Sequence, residues 1–189
     1  AIHLLEREPE KICWWSLSEN PNAMHIIEQN PEKYDSYHLC LNPNAISIIE
    51  REPEKINWWN LSQNPNAISI IEKNMDKICW SALHFNPNAV HILEREPEKI
   101  QWSILSRNPN AIHLLEREPD RVDWMYLSGN PNAIHLLERE PDRVDLEILS
   151  SNPNAMHLLY NAIKTNPDKI CWDWLSGNPS IFEEEYACK

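Results

Sequence analysis

The chain has 189 residues, with 17 basic against 29 acidic side chains and a formal net charge of −12. A nucleic-acid binder neutralises phosphates with a basic stripe, so this charge argues against nucleic acid as a partner. The two glycines, Gly129 and Gly177, supply no glycine-rich phosphate loop. No apolar run reaches the ~18 residues of a membrane span, and the N-terminus shows no signal sequence. We therefore expect neither nucleotide chemistry nor a membrane.

One 22-residue repeat opening with Asn-Pro-Asn-Ala builds most of the sequence. Copies begin at Asn20, Asn42, Asn64, Asn86, Asn108, Asn130 and Asn152. A fixed period of this size is typical of a solenoid, in which each repeat buries its apolar side against its neighbours. We predict a single solenoid over residues 1–189, with a partial repeat at 1–19, seven repeats at 20–177 and a C-terminal cap at 178–189. In that cap, Glu184 and Glu185 replace the inward leucine pair.

The first half of the repeat predicts a helix of about nine residues. In the copy that opens at Asn108, this asparagine would cap the helix and Pro109 would occupy its first position. Ala111, Leu114 and Leu115 then fall at i, i+3 and i+4 and form an apolar stripe. The proline at position twelve disfavours helix in the residue before it, so the helix should end there.

The second half of the repeat requires a break in the helix. Val122 and Trp124 are both apolar but lie about 200° apart around a helix, so one straight helix cannot bury both. We expect a 3₁₀ turn from Pro119 to Val122, then a second short helix that Asp123 caps and that carries Trp124 and Leu127 inward. The predicted fold class is all-α: a right-handed solenoid of 22-residue repeats, each a short α-helix plus a 3₁₀ turn and a second short helix. The same capping role is expected of Asp35, Asn57 and Asp145, and less so of Gln101 and the cysteines.

Two repeats depart from the common pattern in their apolar positions. In the first full repeat, Ser36 replaces the inward tryptophan, while Tyr34 and Tyr37 supply aromatic bulk nearby. Leu146 is the one aliphatic residue at the tryptophan position. The seventh repeat also carries four extra residues around 160–163, close to one helical turn, so its first helix should lengthen without changing face.

The sequence of the repeat resembles those of known repeat proteins. Short helices joined at Leu-Ser-x-Asn-Pro, as at residues 17–21, look like the leucine-rich repeat variant architecture, which pairs an α-helix with a 3₁₀-helix. The phrase NPNAIHLLE, followed by Pro-Glu/Asp-Lys/Arg-Ile/Val and Trp-x-x-Leu-Ser, resembles uncharacterised repeat proteins of giant DNA viruses that infect amoebae. The likeness covers nearly the whole chain. It implies a viral protein acting in host cytoplasm or packaged in a virion, and it brings no catalytic residues.

The cysteines indicate free thiols rather than a disulfide framework. Cys13, Cys79 and Cys171 occupy the same position in repeats that are not adjacent, whereas a disulfide needs Cα atoms within about 7 Å. Free thiols favour an intracellular, reducing compartment. There is neither a CxxC motif nor zinc-type spacing, so we expect no metal and no cofactor.

Histidine recurs at position six, and two interpretations stay open for it. Neighbouring copies should stand ~8–10 Å apart, too far to share a zinc ion, so a solvated face is preferred. The alternative hypothesis is that their titration loosens the array in acid. These residues are His3, His25, His91, His113, His135 and His157.

The repeated tryptophans and carboxylates are interpreted as framework. The carboxylates at positions nine, eleven and thirteen, as in Glu116, Glu118 and Asp120, recur with basic neighbours in most copies. Catalysis needs a singular constellation in a pocket, so we interpret them as a solvated charge lattice and predict no enzyme activity. Core packing is preferred over an aromatic binding ladder for the tryptophans at position seventeen: Trp14, Trp58, Trp80, Trp102, Trp124 and Trp172.

Positions eighteen and twenty-two carry the functional prediction. They lie at i, i+4 on the outer side of the second helix, and large apolar residues concentrate there in the first copies. Exposed contiguous apolar surface usually marks an interaction site; the competing interpretation is that these side chains cover the seams between repeats. The predicted partner-binding residues are Trp15, Tyr37, Leu41, Trp59, Phe85 and Met125.

The function predicted from these residues is a non-enzymatic repeat scaffold for protein–protein interaction. A basic protein partner is favoured, because aromatic rings flanked by carboxylates hold lysine and arginine. The alternative is a self-assembling structural component of a virion or viral factory, formed by end-to-end association of copies.

Overall fold

The structure is a computed structural model that describes residues 8–182, and every regular element in that range is a helix. The first helices of the repeats span Met24–Gln29, Ile46–Arg51, Ile68–Lys73, Val90–Arg95, Ile112–Arg117, Ile134–Arg139 and Met156–Thr165. The second helices span Trp14–Glu19, Ser36–Leu39, Trp58–Gln63, Trp80–Leu83, Trp102–Leu105, Trp124–Ser128, Leu146–Leu149 and Trp172–Ser176. The 3₁₀ helices span Pro9–Lys11, Pro21–Ala23, Pro53–Lys55, Pro97–Lys99, Pro119–Arg121, Pro141–Arg143, Pro167–Lys169 and Pro179–Phe182. This regular alternation confirms the predicted all-α repeat fold. None of the helices between residues 8 and 182 is long and apolar enough to cross a bilayer.

Two compact units make up the chain, residues 1–95 and residues 96–189. Each unit stacks the same repeat, and each is described here by itself. The single solenoid over residues 1–189 therefore stays a prediction. His3 and the cap residues Glu184 and Glu185 lie outside the described residues.

The first helix begins later than the sequence predicts. In the repeat that opens at Asn108, the α-helix spans Ile112–Arg117, six residues rather than about nine. Asn108 accepts a hydrogen bond from the backbone N–H of Asn110 at 3.0 Å, so it closes a local turn instead of capping the α-helix. The prediction was wrong in its boundary because the opening asparagines also bind the preceding repeat, which keeps them outside the helix.

The predicted break and second cap are confirmed. Pro119–Arg121 forms the 3₁₀ turn, and Asp123 accepts a hydrogen bond from the backbone N–H of Tyr126 at the start of the second helix. The other carboxylate and amide caps are also formed, by Asp35, Asn57 and Asp145. No side-chain cap is made by Gln101, Cys13, Cys79 or Cys171.

Each unit has a core built from the same positions of successive repeats. Ala111, Leu114 and Leu115 are buried as predicted, and Leu127 is fully buried from the second helix. Equivalent residues fill the first unit, for example Ile71 and the other isoleucine pairs. Burying a side chain of this size contributes about 1.5–3 kcal/mol, so stacking supplies the stability that six-residue helices lack by themselves.

Buried asparagines join successive repeats through the backbone. Asn64 is typical: its Nδ2 donates to the carbonyl oxygens of Cys40, near the end of one repeat, and of Asn42, which opens the next, both at 2.9 Å. Its Oδ1 accepts from the N–H of Asn66. We call this set the asparagine ladder; each of these amides donates both bonds to the junction at which the preceding repeat begins, and its members include Asn42, Asn64, Asn86, Asn130, Asn152 and Asn178. All the hydrogen-bonding groups of these buried amides are satisfied, which makes the stacking register specific.

A serine at position twenty-one makes a second bridge between repeats. The hydroxyl of Ser62 donates to the carbonyl of Trp58 at 2.6 Å and accepts the backbone N–H of Cys79 in the next repeat at 3.0 Å. Cys40 stands in this position one repeat earlier, and its Sγ lies 3.4 Å from the N–H of Asn57. Serine and cysteine at position twenty-one therefore both accept a backbone N–H of the following repeat.

The aromatic ring at position seventeen is covered by a basic side chain of the following repeat. Arg143 lies over the ring of Trp124, with the guanidinium carbon 4.4 Å from the ring centroid. Where Ser36 replaces the tryptophan, Tyr34 supplies the ring and Lys55 lies 5.6 Å above it. The remaining pairs are Lys33 over Trp14, Lys77 over Trp58 and Arg121 over Trp102. These tryptophans are half-buried at the seams, whereas Trp172 is 54% exposed and departs from the predicted core packing.

Replacing Arg143 by glutamine is expected to lower the free energy of unfolding by about 0.5–1 kcal/mol. Glutamine keeps part of the stem but removes the positive charge above the Trp124 ring. Urea titration followed by far-UV circular dichroism measures the change. Arg139→Gln is the matched control, because in the described part of the chain this exposed arginine covers no ring. Equal losses in both variants would contradict a specific cation–π contribution.

Candidate protein-interaction surface

The second helix presents position eighteen to solvent because its other positions are occupied. In the helix Trp58–Gln63, Leu61 is buried in the core and Ser62 bridges to the next repeat. Trp58 packs at the seam beneath Lys77, 5.5 Å from the ring centroid. The neighbouring Trp59 consequently faces outward, and a large apolar ring lies in water.

Four large aromatic side chains of the first unit share this exposure. Trp15 is 54% exposed, Tyr37 46%, Trp59 48% and Phe85 49%. We call these four residues the aromatic stripe. Trp15, Tyr37 and Trp59 hold the same position in successive second helices. Phe85 stands four positions further along its repeat, two residues beyond the end of the helix Trp80–Leu83.

The other two predicted residues are placed differently. Leu41 is only partly exposed, so it contributes less apolar surface than the aromatic rings. Met125 is 50% exposed but belongs to the second unit, which is described separately. The structure thus groups Trp15, Tyr37, Leu41, Trp59 and Phe85 within one unit and leaves Met125 outside it. Their role in partner binding stays a prediction.

His38 is a member of this surface that the sequence reasoning missed. Its ring centroid lies 5.3 Å from that of Trp15 and 5.1 Å from that of Tyr37. Its Nδ1 donates to Oδ1 of Asp35 at 2.8 Å, and its backbone N–H donates to the same oxygen at 2.9 Å. The signal that could have found it is an aspartate N-cap followed three residues later by a histidine, between two exposed rings.

Asp35 supplies a fixed negative charge beside the stripe. Partial burial acts to raise the pKa of this carboxyl group, but the hydrogen bonds from the backbone and ring of His38 outweigh burial and lower the pKa below its ordinary value. The carboxylate is therefore ionised at neutral pH, a few ångströms from an exposed aromatic surface. A cation approaching the rings would meet this charge.

The recurring histidines contact glutamates of the preceding repeat rather than a shared metal. His135 Nε2 lies 2.9 Å from Glu116 Oε1, and His157 makes the same contact with Glu138. Among residues 8–182 no group of three or more histidine, cysteine or carboxylate side chains is arranged to hold a metal ion. The predicted loosening in acid would need repulsion between neighbouring imidazoles, and at His91, His135 and His157 a carboxylate lies beside the ring instead.

The acidic and basic residues of the 3₁₀ turns pair at the surface. Lys55 Nζ lies 2.7 Å from Glu52 Oε2, and Arg121 Nε lies 3.6 Å from Glu118 Oε2. Tyr34 also donates its hydroxyl to Glu52, whose pKa is lowered by the hydrogen bonds from Lys55 and Tyr34. Pairs of this kind are local surface contacts that solvent screens, so they add little to stability.

Comparisons extend the search beyond this chain. No family model, curated protein or solved structure matches it. The function is therefore inferred from the chain's own residues.

Exposed aromatic residues also occur in the second unit, at position nineteen. Tyr126 and Trp174 are 39% and 43% exposed and line a shallow groove of about 530 Å³ together with Arg107 and Asp173. Sequence reasoning did not single out this position, because the other copies place serine, histidine, asparagine, alanine or isoleucine there. The groove is mixed in charge and its rings are less exposed than those of the aromatic stripe.

Proposed function

We propose that this protein is a non-enzymatic repeat scaffold that binds another protein through the aromatic stripe of its first unit. The observation that carries the proposal is the exposure of four aromatic side chains, each close to one half: Trp15, Tyr37 and Trp59 on second helices, and Phe85 just beyond the end of another. Large aromatic residues are enriched at the centres of protein interfaces, where burying them supplies much of the binding energy.

The surroundings of the stripe favour a basic partner. The chain carries a formal net charge of −12, and the Asp35 carboxylate lies next to the rings through His38. The same unit already stacks lysine on aromatic rings internally, as Lys33 does on Trp14 at 5.4 Å. Lysine or arginine of a partner can use the exposed rings in the same way, with a contribution of about 0.5–2 kcal/mol per contact. The resemblance to giant-virus repeats makes host and viral proteins the partners to search first.

The triple variant Trp15→Ala, Tyr37→Ala, Trp59→Ala tests the proposal. Proteins captured by the immobilised wild-type chain are identified by mass spectrometry, and binding of each basic candidate is then measured with purified protein. Removing three interface aromatics should weaken true binding by about a hundredfold or more. Because the rings are half exposed, helicity by circular dichroism should be retained.

Ser103→Ala is the matched control, since Ser103 is exposed at the same position of another second helix. Full affinity in the triple variant would rule the stripe out. Sedimentation velocity separates the alternative function: concentration-dependent association of the wild-type chain that the triple variant retains would favour end-to-end self-assembly over binding of a different protein through the stripe.

A further inference from the structure

The junction between the sixth and seventh repeats, inside the second unit, contains an open cleft. Its volume is about 1000 Å³. The walls come from the second helix Leu146–Leu149 and the long first helix Met156–Thr165. Both repeats that flank the cleft depart from the common sequence at this junction.

Two departures from the repeat meet at this cleft. Leu146 replaces the aromatic residue of position seventeen, and Lys169 is the basic residue that would cover it. Within the described residues of the two units, the corresponding lysines and arginines of five junctions lie over a tryptophan or tyrosine ring. Lys169 lines the cleft with no ring beneath it among residues 8–182.

The second departure is the longer helix of the seventh repeat. Met156–Thr165 has ten residues where the other first helices have six, so one extra turn is inserted at the junction. The asparagine ladder still closes across it: Asn178 Nδ2 donates to the carbonyls of Ser150 at 3.1 Å and Asn152 at 3.0 Å. The cleft therefore opens while the backbone connections between repeats are kept.

The lining of the cleft combines an apolar floor with an acidic rim. Leu137, Leu149, Ala162 and Ile170 are buried residues of the second unit's core that reach its floor. Three rim carboxylates are exposed, against the single ammonium group of Lys169. They are Asp142, Glu147 and Asp168. Such a surface complements a ligand with an apolar aromatic centre and positively charged flanks.

We propose that this cleft binds a basic peptide segment through one aromatic side chain, which occupies the place that a tryptophan fills at the other junctions. The ring packs on Leu146 and the apolar floor and lies beneath Lys169, and flanking lysines or arginines contact Asp142, Glu147 and Asp168. The site belongs to the second unit and uses none of the stripe residues, so it goes beyond the proposed function.

Binding of two fluorescein-labelled peptides to the full chain tests the proposal. One has the sequence Lys-Lys-Trp-Lys-Lys with blocked ends, and the other carries alanine in place of tryptophan. Fluorescence anisotropy should show saturable binding of the tryptophan peptide and at least about tenfold weaker binding of the alanine peptide, because only the first fills the cleft. Equal affinities, or the absence of saturable binding, would overturn the proposal.

The variant Leu146→Trp decides where the peptide binds. It restores the side chain found at the equivalent position of Trp102 and Trp124, fills the cleft from inside and should weaken the peptide by about tenfold or more. Its melting temperature should equal or exceed that of the wild type. Unchanged peptide affinity in this variant would place the site elsewhere and refute the cleft.

Lys169→Gln gives an independent measurement if the tryptophan variant folds poorly. Loss of the cation above the ring should weaken the tryptophan peptide by about two- to fivefold and leave the alanine peptide no weaker. The triple stripe variant should bind the tryptophan peptide like the wild type. Failure of the stripe proposal and failure of the cleft proposal therefore give different results.

Discussion

Replacing Asn64 by alanine is expected to lower the free energy of unfolding by about 2–4 kcal/mol. The fully buried amide donates hydrogen bonds to the carbonyls of Cys40 and Asn42 and accepts one from Asn66. With alanine at residue 64, the carbonyl of Cys40 loses the hydrogen bond from the amide. The carbonyl of Asn42 keeps its hydrogen bond from the backbone N–H of Ala45. Each buried polar group that loses its partner costs about 1–3 kcal/mol. Thermal unfolding should show a decrease of about 5–15 °C in melting temperature.

The variant Asn64→Asp separates the effect of losing the hydrogen-bond donors on stability from the effect of losing side-chain volume. Aspartate has the same shape, but at neutral pH it places a carboxylate against the two carbonyl oxygens and donates to neither. It should destabilise at least as much as alanine. Asn66→Ala is the matched control, because this exposed amide donates only one bond, to the carbonyl of Pro43, and its loss should cost about 1 kcal/mol. Equal effects at residues 64 and 66 would contradict the ladder's contribution.

Most of the local structure could be predicted because it depends on chemistry within one repeat. The proline at position twelve ends one helix and starts the 3₁₀ turn, as Pro119 does. A carboxylate that precedes a tryptophan caps the next helix, as Asp123 does. Periodic leucines identify the buried face, and the repetition of the pattern identifies the class of fold.

The start of the first helix could not be predicted in this way. An asparagine followed by proline, as at Asn108 and Pro109, is a good N-cap in any isolated sequence. Here the amides of the equivalent asparagines donate to carbonyls 22 and 24 residues away, as Asn130 does to Asn108 and Ser106. Such partners are set by how the repeats stack. The tertiary contact determines the conformation, and the α-helix begins at Ile112.

For the candidate sites too, features set within one repeat could be predicted, and features set by the stacking of repeats could not. Position eighteen was predicted to face outward from its place on the helix, and Trp15 and Trp59 are exposed there. The cleft was missed, although the sequence shows both the Leu146 substitution and the four-residue insertion. Only the stacking of repeats brings Lys169 and Leu146 to the same cavity.

Acid is expected to destabilise the first unit through one buried histidine, His84. This residue stands at position twenty-one, where most repeats have serine, and its side chain is fully buried. Its Nδ1 lies 2.6 Å from the carbonyl of Trp80. Burial lowers the pKa of His84 below its ordinary value, and the hydrogen bond to Trp80 only partly opposes this. The ring is therefore neutral in the folded protein at pH values where an exposed histidine already takes up a proton.

The sign of the pH dependence follows from proton uptake. Below an unfolded-state pKa of about 6.5, the unfolded chain binds a proton that folded His84 does not, so the free energy of unfolding falls as the pH decreases. One such group contributes at most about 1.4 kcal/mol per pH unit, until the folded state also becomes protonated. The contribution is absent above that unfolded value, where both states are neutral.

His84→Ser should remove this acid sensitivity. Urea unfolding is measured for the wild type and the variant between about pH 7.5 and pH 5. As the pH falls, the free energy of unfolding should decrease less for the variant than for the wild type. A difference in free energy of unfolding that is the same at every pH reports only the change in packing. Cys40→Ser is the matched control: it restores serine at the same buried position, and burial raises the pKa of the Cys40 thiol, so no proton is exchanged in this range. The difference in free energy of unfolding between the wild type and Cys40→Ser should not depend on pH. If the difference between the wild type and His84→Ser is equally independent of pH, the acid response lies in other groups.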